Sequence, residues 1–203
     1  MPRFTEDWVS GHFPQWEQLF FHLLGWDPAA PRRVVEIGCF EGRSTLWFLQ
    51  NLLRHPESRI TCIDTFAGGA EHSEAQTAGL FERFRANLEE SGQAGQAEVL
   101  RGDSFSGLSA LIARGTAVDL AYIDGSHEAP DVLADLVLAF RLLVPGGVIL
   151  CDDYLWSREP PAEVDALGCP KLAIDAFTTI YRRRLEFVPW NWHWQVAFRK
   201  AAT

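Results

Sequence analysis

Four side chains carry the most chemistry: Asp124 and His127 in the run IDGSH at 123–127, and Asp152 and Asp153 in CDDY at 151–154. Each run follows an apolar stretch, 118–123 and 148–151, that reads as a buried strand. In a parallel sheet the carboxyl tips of neighbouring strands face one crevice. Carboxylates crowded there repel each other and raise a pKa, and a divalent cation relieves this. All-oxygen ligands with room for water suit Mg²⁺, or Mn²⁺ as the alternative. Such an ion would hold two oxygens of a diol and lower the pKa of one hydroxyl. Consecutive side chains of an extended strand point opposite ways, so the chain must turn at Asp152–Asp153 for both to reach one ion. Two blander readings stay open: Asp124 capping its turn, and Asp152 binding a cofactor alone.

A second constellation is VVEIGCFEGRS at 34–44, with the order strand, glycine-bearing loop, and helix start near Arg43 and Ser44. Gly38 lets the chain turn sharply off the strand, and Gly42 lets the helix begin close to whatever sits above it. A dinucleotide fingerprint needs three glycines as G-x-G-x-x-G. Phe40 stands in the place of the second and would shield the loop from a pyrophosphate. The stretch fits E-x-G-x-x-x-G, with Glu36, Gly38 and Gly42. Asp64 ends the next strand, 59–63, where an acid accepts both hydroxyls of a ribose; capping the following loop, which opens at Thr65, is its structural alternative. Asp103 and Ser104 follow a third strand, 97–100, and either can cap the short helix 105–113.

The elements that must position these residues alternate. Helical spacing of apolar residues predicts helices over 14–24, 45–53 and 77–88. A further helix has Pro130 in its first turn and Val132, Leu133, Leu136, Val137, Phe140 and Leu143 as its stripe. The segment 144–147 stops it before the strand at 148–151. Another helix fits 171–184, with Leu172, Ala173, Ala176, Phe177 and Ile180 inward and Arg182 to Arg184 as a solvated end. Residues 185–188 and 192–198 read as a closing hairpin, with Trp192, Trp194, Val196 and Phe198 alternating onto one face. The fold class is therefore α/β: a doubly wound, mostly parallel seven-stranded sheet with helices on both faces and a C-terminal antiparallel hairpin. Residues 1–203 read as one domain, with 1–30 as a helical extension or lid.

Composition narrows the partners. A net charge of -9 excludes binding through a nucleic-acid backbone, which needs clustered Lys and Arg. No apolar run reaches the roughly 18 residues of a membrane span, and MPRFTEDWVS lacks the apolar core of a signal peptide. The four cysteines (Cys39, Cys62, Cys151, Cys169) match no zinc spacing and read as reduced, small hydrophobic residues of a cytoplasmic protein. Aromatic residues at Phe4, Trp8, Phe13 and Trp16, with the segments 155–168 and 190–194, are lid candidates that stack on a sugar or an aromatic ring. They serve equally to bury a homodimer interface. His72 and His193 are lesser candidates for the rim.

The E-x-G-x-x-x-G run resembles motif I of the class I S-adenosylmethionine-dependent methyltransferases. IDGSH and CDDY, with PGG at 145–147, resemble the macrocin O-methyltransferase type of small-molecule enzyme, the likeness covering about residues 33–154. That resemblance implies a Rossmann-like core over 31–203 and S-adenosyl-L-methionine as cofactor. Glu36, Gly38, Cys39, Phe40 and Gly42 would form its loop, with Ser44 and Thr45 meeting its carboxylate through their backbone N–H groups. Asp64 and Thr65 would lie at the ribose, Asp103 and Ser104 at the adenine, and Asp124 beside the cofactor. The resemblance also implies Asp124, Asp152 and Asp153 as metal ligands, with Asp124 and His127 catalytic and His127 the general base. The expected reaction is O-methylation of a small hydroxylated acceptor, a sugar or natural product, with Mg²⁺ or Mn²⁺. A metal-independent methyltransferase is the near alternative. A nicotinamide-linked oxidoreductase is a more distant one, opposed by Phe40 and the hairpin, and a cofactor-binding protein without catalysis is the third.

Overall fold

The computed structural model describes residues 1–69, 72–160, 162–190 and 194–202. Seven strands are present: β1 (Arg33–Ile37), β2 (Arg59–Asp64), β3 (Ala97–Arg101), β4 (Val118–Ile123), β5 (Leu143–Cys151), β6 (Leu185–Phe187) and β7 (Val196–Lys200). They form one sheet in the order β3-β2-β1-β4-β5-β7-β6. The pairs β1–β2, β2–β3 and β4–β5 are parallel, whereas β7 runs antiparallel to both β5 and β6. The expected mostly parallel sheet with a C-terminal antiparallel pair is therefore present. No helix among the described residues is long and apolar enough to cross a membrane.

The chain divides into two compact units, Met1–Gly102 and Asp103–Thr203. In the first, β1 is buried at Val34, Val35, Glu36 and Ile37. Its register, Ile37 against Ile63, brings the loop after β1 beside Asp64 at the tip of β2. Helix α1 (Phe13–Glu17) widens into a π-type turn at Gln18–Leu23, and α2 (Arg43–Trp47) does the same at Phe48–Leu52. Trp16 has no exposed surface and stacks on Phe48 with ring centroids 4.9 Å apart, so it belongs to the core and not to a lid. The helix expected over 77–88 is two helices, α3 (Glu74–Thr77) and α4 (Leu80–Glu90). Gly79 separates them at φ +66°, a conformation in which a helix cannot continue.

The second unit holds α5 (Ser104–Ala113), α6 (Ala129–Leu142) and α7 (Pro170–Tyr181). Its core gathers Tyr122, Phe140, Phe177 and Phe198. Three expectations need correction. The strand expected from 148 begins at Leu143, which is extended and not helical; the pairing of β4 with β5 then shifts register between Val118 and Leu120, carrying the PGG run as an irregularity of the strand. On α7, Leu172 and Ile180 are 44% and 73% exposed, while Ala173, Ile174 and Phe177 face inward. The ring contacts of Phe177 with Phe140, Tyr181 and Phe198 set that rotation. Finally, β7 starts at Val196, leaving Trp194 half exposed before it; Trp192 and His193 lie outside the described residues. All four cysteines are free and buried.

Candidate functional site

The glycine loop of the first unit is built on left-handed backbone. Gly38 and Gly42 have φ of +80° and +85°. A Cβ on Gly42 would lie 2.9 Å from the Phe84 ring, so α2 starts against α4 only because this residue is glycine. Phe40 also has positive φ, +46°, and its ring clusters with Trp8 and His72 at centroid distances of 4.8 and 5.2 Å, those two rings also touching each other. Behind the loop, Glu36 is fully buried and accepts from Ser44 Oγ at 2.5 Å and Thr45 Oγ1 at 2.6 Å. Burial pushes its carboxyl up to about 7, against the pull of the two hydroxyls. Glu36, Ser44 and Thr45 thus tie the strand to the start of the helix, and Glu36 presents no surface to a ligand.

Asp64 organises the same loop. Its Oδ2 accepts from the backbone N–H of Cys39 at 2.7 Å and of Phe40 at 2.9 Å, and its Oδ1 accepts from Phe66 at 2.6 Å. A carboxylate therefore takes the amide donors that a pyrophosphate would need, which counts against a dinucleotide loop. Thr65 is exposed and accepts from Ala67 N–H at 3.2 Å. Glu36, Cys39 and Cys62 bring three possible ligand atoms within 4.8 Å of one another. The Glu36 oxygens are engaged by hydroxyls and burial pushes the Cys39 thiol up, so this cluster is a hydrogen-bonded piece of core.

One feature of this unit was missed in the sequence: residues 3–8 are strapped to the loop. Glu41, 1% exposed, accepts from Thr5 N and Thr5 Oγ1 and from Arg83 Nε, each at 2.7 Å. Burial pushes its carboxyl up, but Thr5 and Arg83 outweigh that and hold it below its usual range. Asn87 accepts from Arg3 N at 2.7 Å and donates to Arg3 O at 2.8 Å and to Glu41 O at 2.9 Å. Arg43 lies over the Phe4 ring and 3.4 Å from Asp7. The available signal was polar residues at core positions, Glu41 inside the loop motif and Asn87 on the apolar face of α4.

In the second unit the tips of β4 and β5 carry the acids. Asp152 N–H donates to Ile123 O at 2.9 Å, and Asp153 takes φ +55°, so the chain turns between the two acids. Tyr122, fully buried, has its hydroxyl 2.9 Å from Asp124 Oδ2 and hydrogen-bonded also to Asp152 Oδ2. Gln195 Nε2 donates to that same Asp152 oxygen at 2.7 Å. The third carboxylate is turned away: Asp153 Oδ2 lies 2.8 Å from His127 Nε2, and the His127 ring stacks on Trp156 at 3.9 Å and 18°. Asp124, His127, Asp152 and Asp153 all line one cavity of about 10 Å³, room for a single water-sized occupant. Asp124 and Asp152 converge on Tyr122 while Asp153 is engaged by His127, so two of the three carboxylates stand together as an all-oxygen site for a hard divalent ion would need. Asp103 caps α5 by accepting from Ser106 N–H at 2.8 Å. Ser104 hydrogen-bonds Asp135, a carboxyl that burial pushes up to about 7. Tyr122 and Gln195 were not singled out in the sequence, since each sits in a run that reads simply as apolar or aromatic; Trp156 lies in the segment 155–168 expected as a lid, and its ring stacks on His127.

Similar folds are known. An O-methyltransferase from Bacillus cereus solved with S-adenosylhomocysteine superposes with a TM-score of 0.68 at 19% identity, over 98% of this chain and 84% of that one. The O-methyltransferase TomG from Streptomyces achromogenes, solved with S-adenosylmethionine, gives 0.66 at 22% identity, over 96% and 82%. In sequence, the chain is 31% identical over 157 residues to a catechol O-methyltransferase from Mycobacterium tuberculosis, a match spanning 77% of this chain and 60% of that relative's length. The methyltransferase-domain family profile matches residues 35–154, from β1 through the acids at the tip of β5, and the chain belongs to that family.

Proposed function

We propose that this chain is an S-adenosylmethionine-dependent O-methyltransferase acting on a small hydroxylated acceptor, a sugar or other natural product bearing a diol, with a divalent metal. The observation that carries this reading is the arrangement at the tips of β4 and β5: Asp124 and Asp152 converging on Tyr122, with His127 held by Asp153. The match to a relative named for catechol, a vicinal diol, favours an acceptor with two adjacent hydroxyls.

In this reading the loop from Gly38 to Gly42 and Asp64 hold the cofactor, which supplies a methyl group on a positively charged sulfur. Glu36 acts on it indirectly, by fixing the loop to α2. His127 takes the acceptor hydroxyl proton as the new carbon–oxygen bond forms and the carbon–sulfur bond breaks. Asp153 orients the imidazole and stabilises its protonated form. Asp124 and Asp152 would hold Mg²⁺ or Mn²⁺, with Asp153, which lines the same cavity, as the third candidate ligand. The bound ion would supply Lewis acidity to the acceptor oxygens. A metal-independent variant would draw on the same His127–Asp153 pair to take the proton, with no metal ligand required.

The test is methyl transfer from labelled S-adenosylmethionine to catechol, with Mg²⁺ and in excess EDTA, beside calorimetric titration with S-adenosylhomocysteine. Binding of S-adenosylhomocysteine with turnover lost in EDTA is the expected result. Undiminished turnover in EDTA would reject the metal, and no binding would reject the cofactor. His127→Asn should lower kcat by about 10²- to 10⁴-fold and leave S-adenosylhomocysteine affinity unchanged.

A further inference from the structure

In β4 the run VDLAYI places a tyrosine where core packing asks only for a ring. Tyr122 has no exposed surface. A phenylalanine would fill the same volume without a buried hydroxyl that must be satisfied. That hydroxyl reaches both strand-tip acids, at 2.9 Å to Asp124 Oδ2 and in a hydrogen bond to Asp152 Oδ2. Gln195, 1% exposed, spends its amide on the same Asp152 oxygen at 2.7 Å. It immediately precedes β7, so the last strand of the sheet reaches the acid at the tip of β5.

We propose that Tyr122 and Gln195 are positioning residues for a divalent cation: the phenol sets the spacing of Asp124 and Asp152, and the amide fixes the orientation of Asp152. This rests on the metal-assisted reading above. Two carboxylates left alone repel one another and turn apart, because each is acceptor-only. A hydroxyl seated between them, donating its one proton to either oxygen in turn, holds them convergent before an ion arrives. Neither Tyr122 nor Gln195 is exposed enough to touch an acceptor, so their effect runs through the acids. Groups that orient metal-ligating side chains are typically worth about 10- to 100-fold in metal affinity.

The experiment uses Mn²⁺ alone as the probe, with free ion counted by electron paramagnetic resonance in the absence of cofactor and acceptor. Native chain, Tyr122→Phe and Gln195→Leu are compared, with S-adenosylhomocysteine titration of each as the check on folding. Tyr122→Phe is expected to weaken Mn²⁺ binding about 10- to 100-fold, and Gln195→Leu by less, with S-adenosylhomocysteine affinity unchanged. A hydroxyl that merely supports the core would lower the unfolding temperature of Tyr122→Phe and leave Mn²⁺ affinity as it was; that result overturns the inference alone. If the native chain binds no Mn²⁺, the metal reading falls and the inference falls with it.

Discussion

Glu36 shows how one buried side chain links the loop to solution conditions. Its carboxyl has no exposed surface, and burial raises it from an ordinary 4.5 to about 7. A group whose pKa is raised on folding favours the protonated native state. Its contribution is complete below about 4.5 and is lost as pH rises through about 7. At 1.36 kcal/mol per pKa unit the range is about 3 kcal/mol. Glu36→Gln keeps the shape and does not titrate, and the Ser44 and Thr45 hydroxyls can turn to accept as well as donate. Urea unfolding at pH 5 and pH 7.5 should therefore show a smaller loss of stability in Glu36→Gln than in the native chain, by about 2 kcal/mol. Parallel losses in both would mean that Glu36 does not titrate in this window.

Among elements, the N-terminal strap makes the clearest demand. Asn87 satisfies both backbone groups of Arg3 and the carbonyl of Glu41, and Glu41 holds Thr5. Asn87→Ala removes three hydrogen bonds, and an orphaned buried group costs about 1–3 kcal/mol. The strap should open locally while the strands stay closed. Amide exchange at Arg3 and Thr5 should then quicken about 10-fold or more, with the amides of β1 unchanged. Equal acceleration in β1 would mean that the strap and the sheet open as one. This strap also marks where the sequence stopped being legible. The β1 run, the glycine loop and the acids after β4 and β5 are local patterns, and the structure has them as strand, turn and strand tips. Thr5 to Glu41 and Arg3 to Asn87 are pairings far apart in the chain, which no periodicity encodes. The same limit misplaced Leu172 and Ile180: apolar spacing marked α7, but the rings of Phe140 and Phe198, from other elements, decided which face turned inward.

For the molecule as a whole, the residues proposed for the loop and for the metal belong to different compact units. The loop and Asp64 lie in Met1–Gly102, and Asp124, His127, Asp152 and Asp153 in Asp103–Thr203. Hydrogen exchange can therefore read the two ligands separately. S-adenosylhomocysteine should slow exchange at 38–44 and 64–66, and Mg²⁺ at 124–127 and 152–154. A ligand that binds only the native state stabilises it by about 2.7 kcal/mol at 100 times its Kd, so Mg²⁺ should also raise the unfolding temperature by several degrees. The net charge of -9 supplies a rival cause, because any divalent ion relieves repulsion over so acidic a surface. Asp152→Asn separates the two at constant ionic strength, since it removes one convergent carboxylate and changes the total charge by only one. Stabilisation and local protection by Mg²⁺ should both disappear in that variant. If Mg²⁺ still raises its unfolding temperature as much as that of the native chain, the ion acts on the surface charge and not at the tips of β4 and β5.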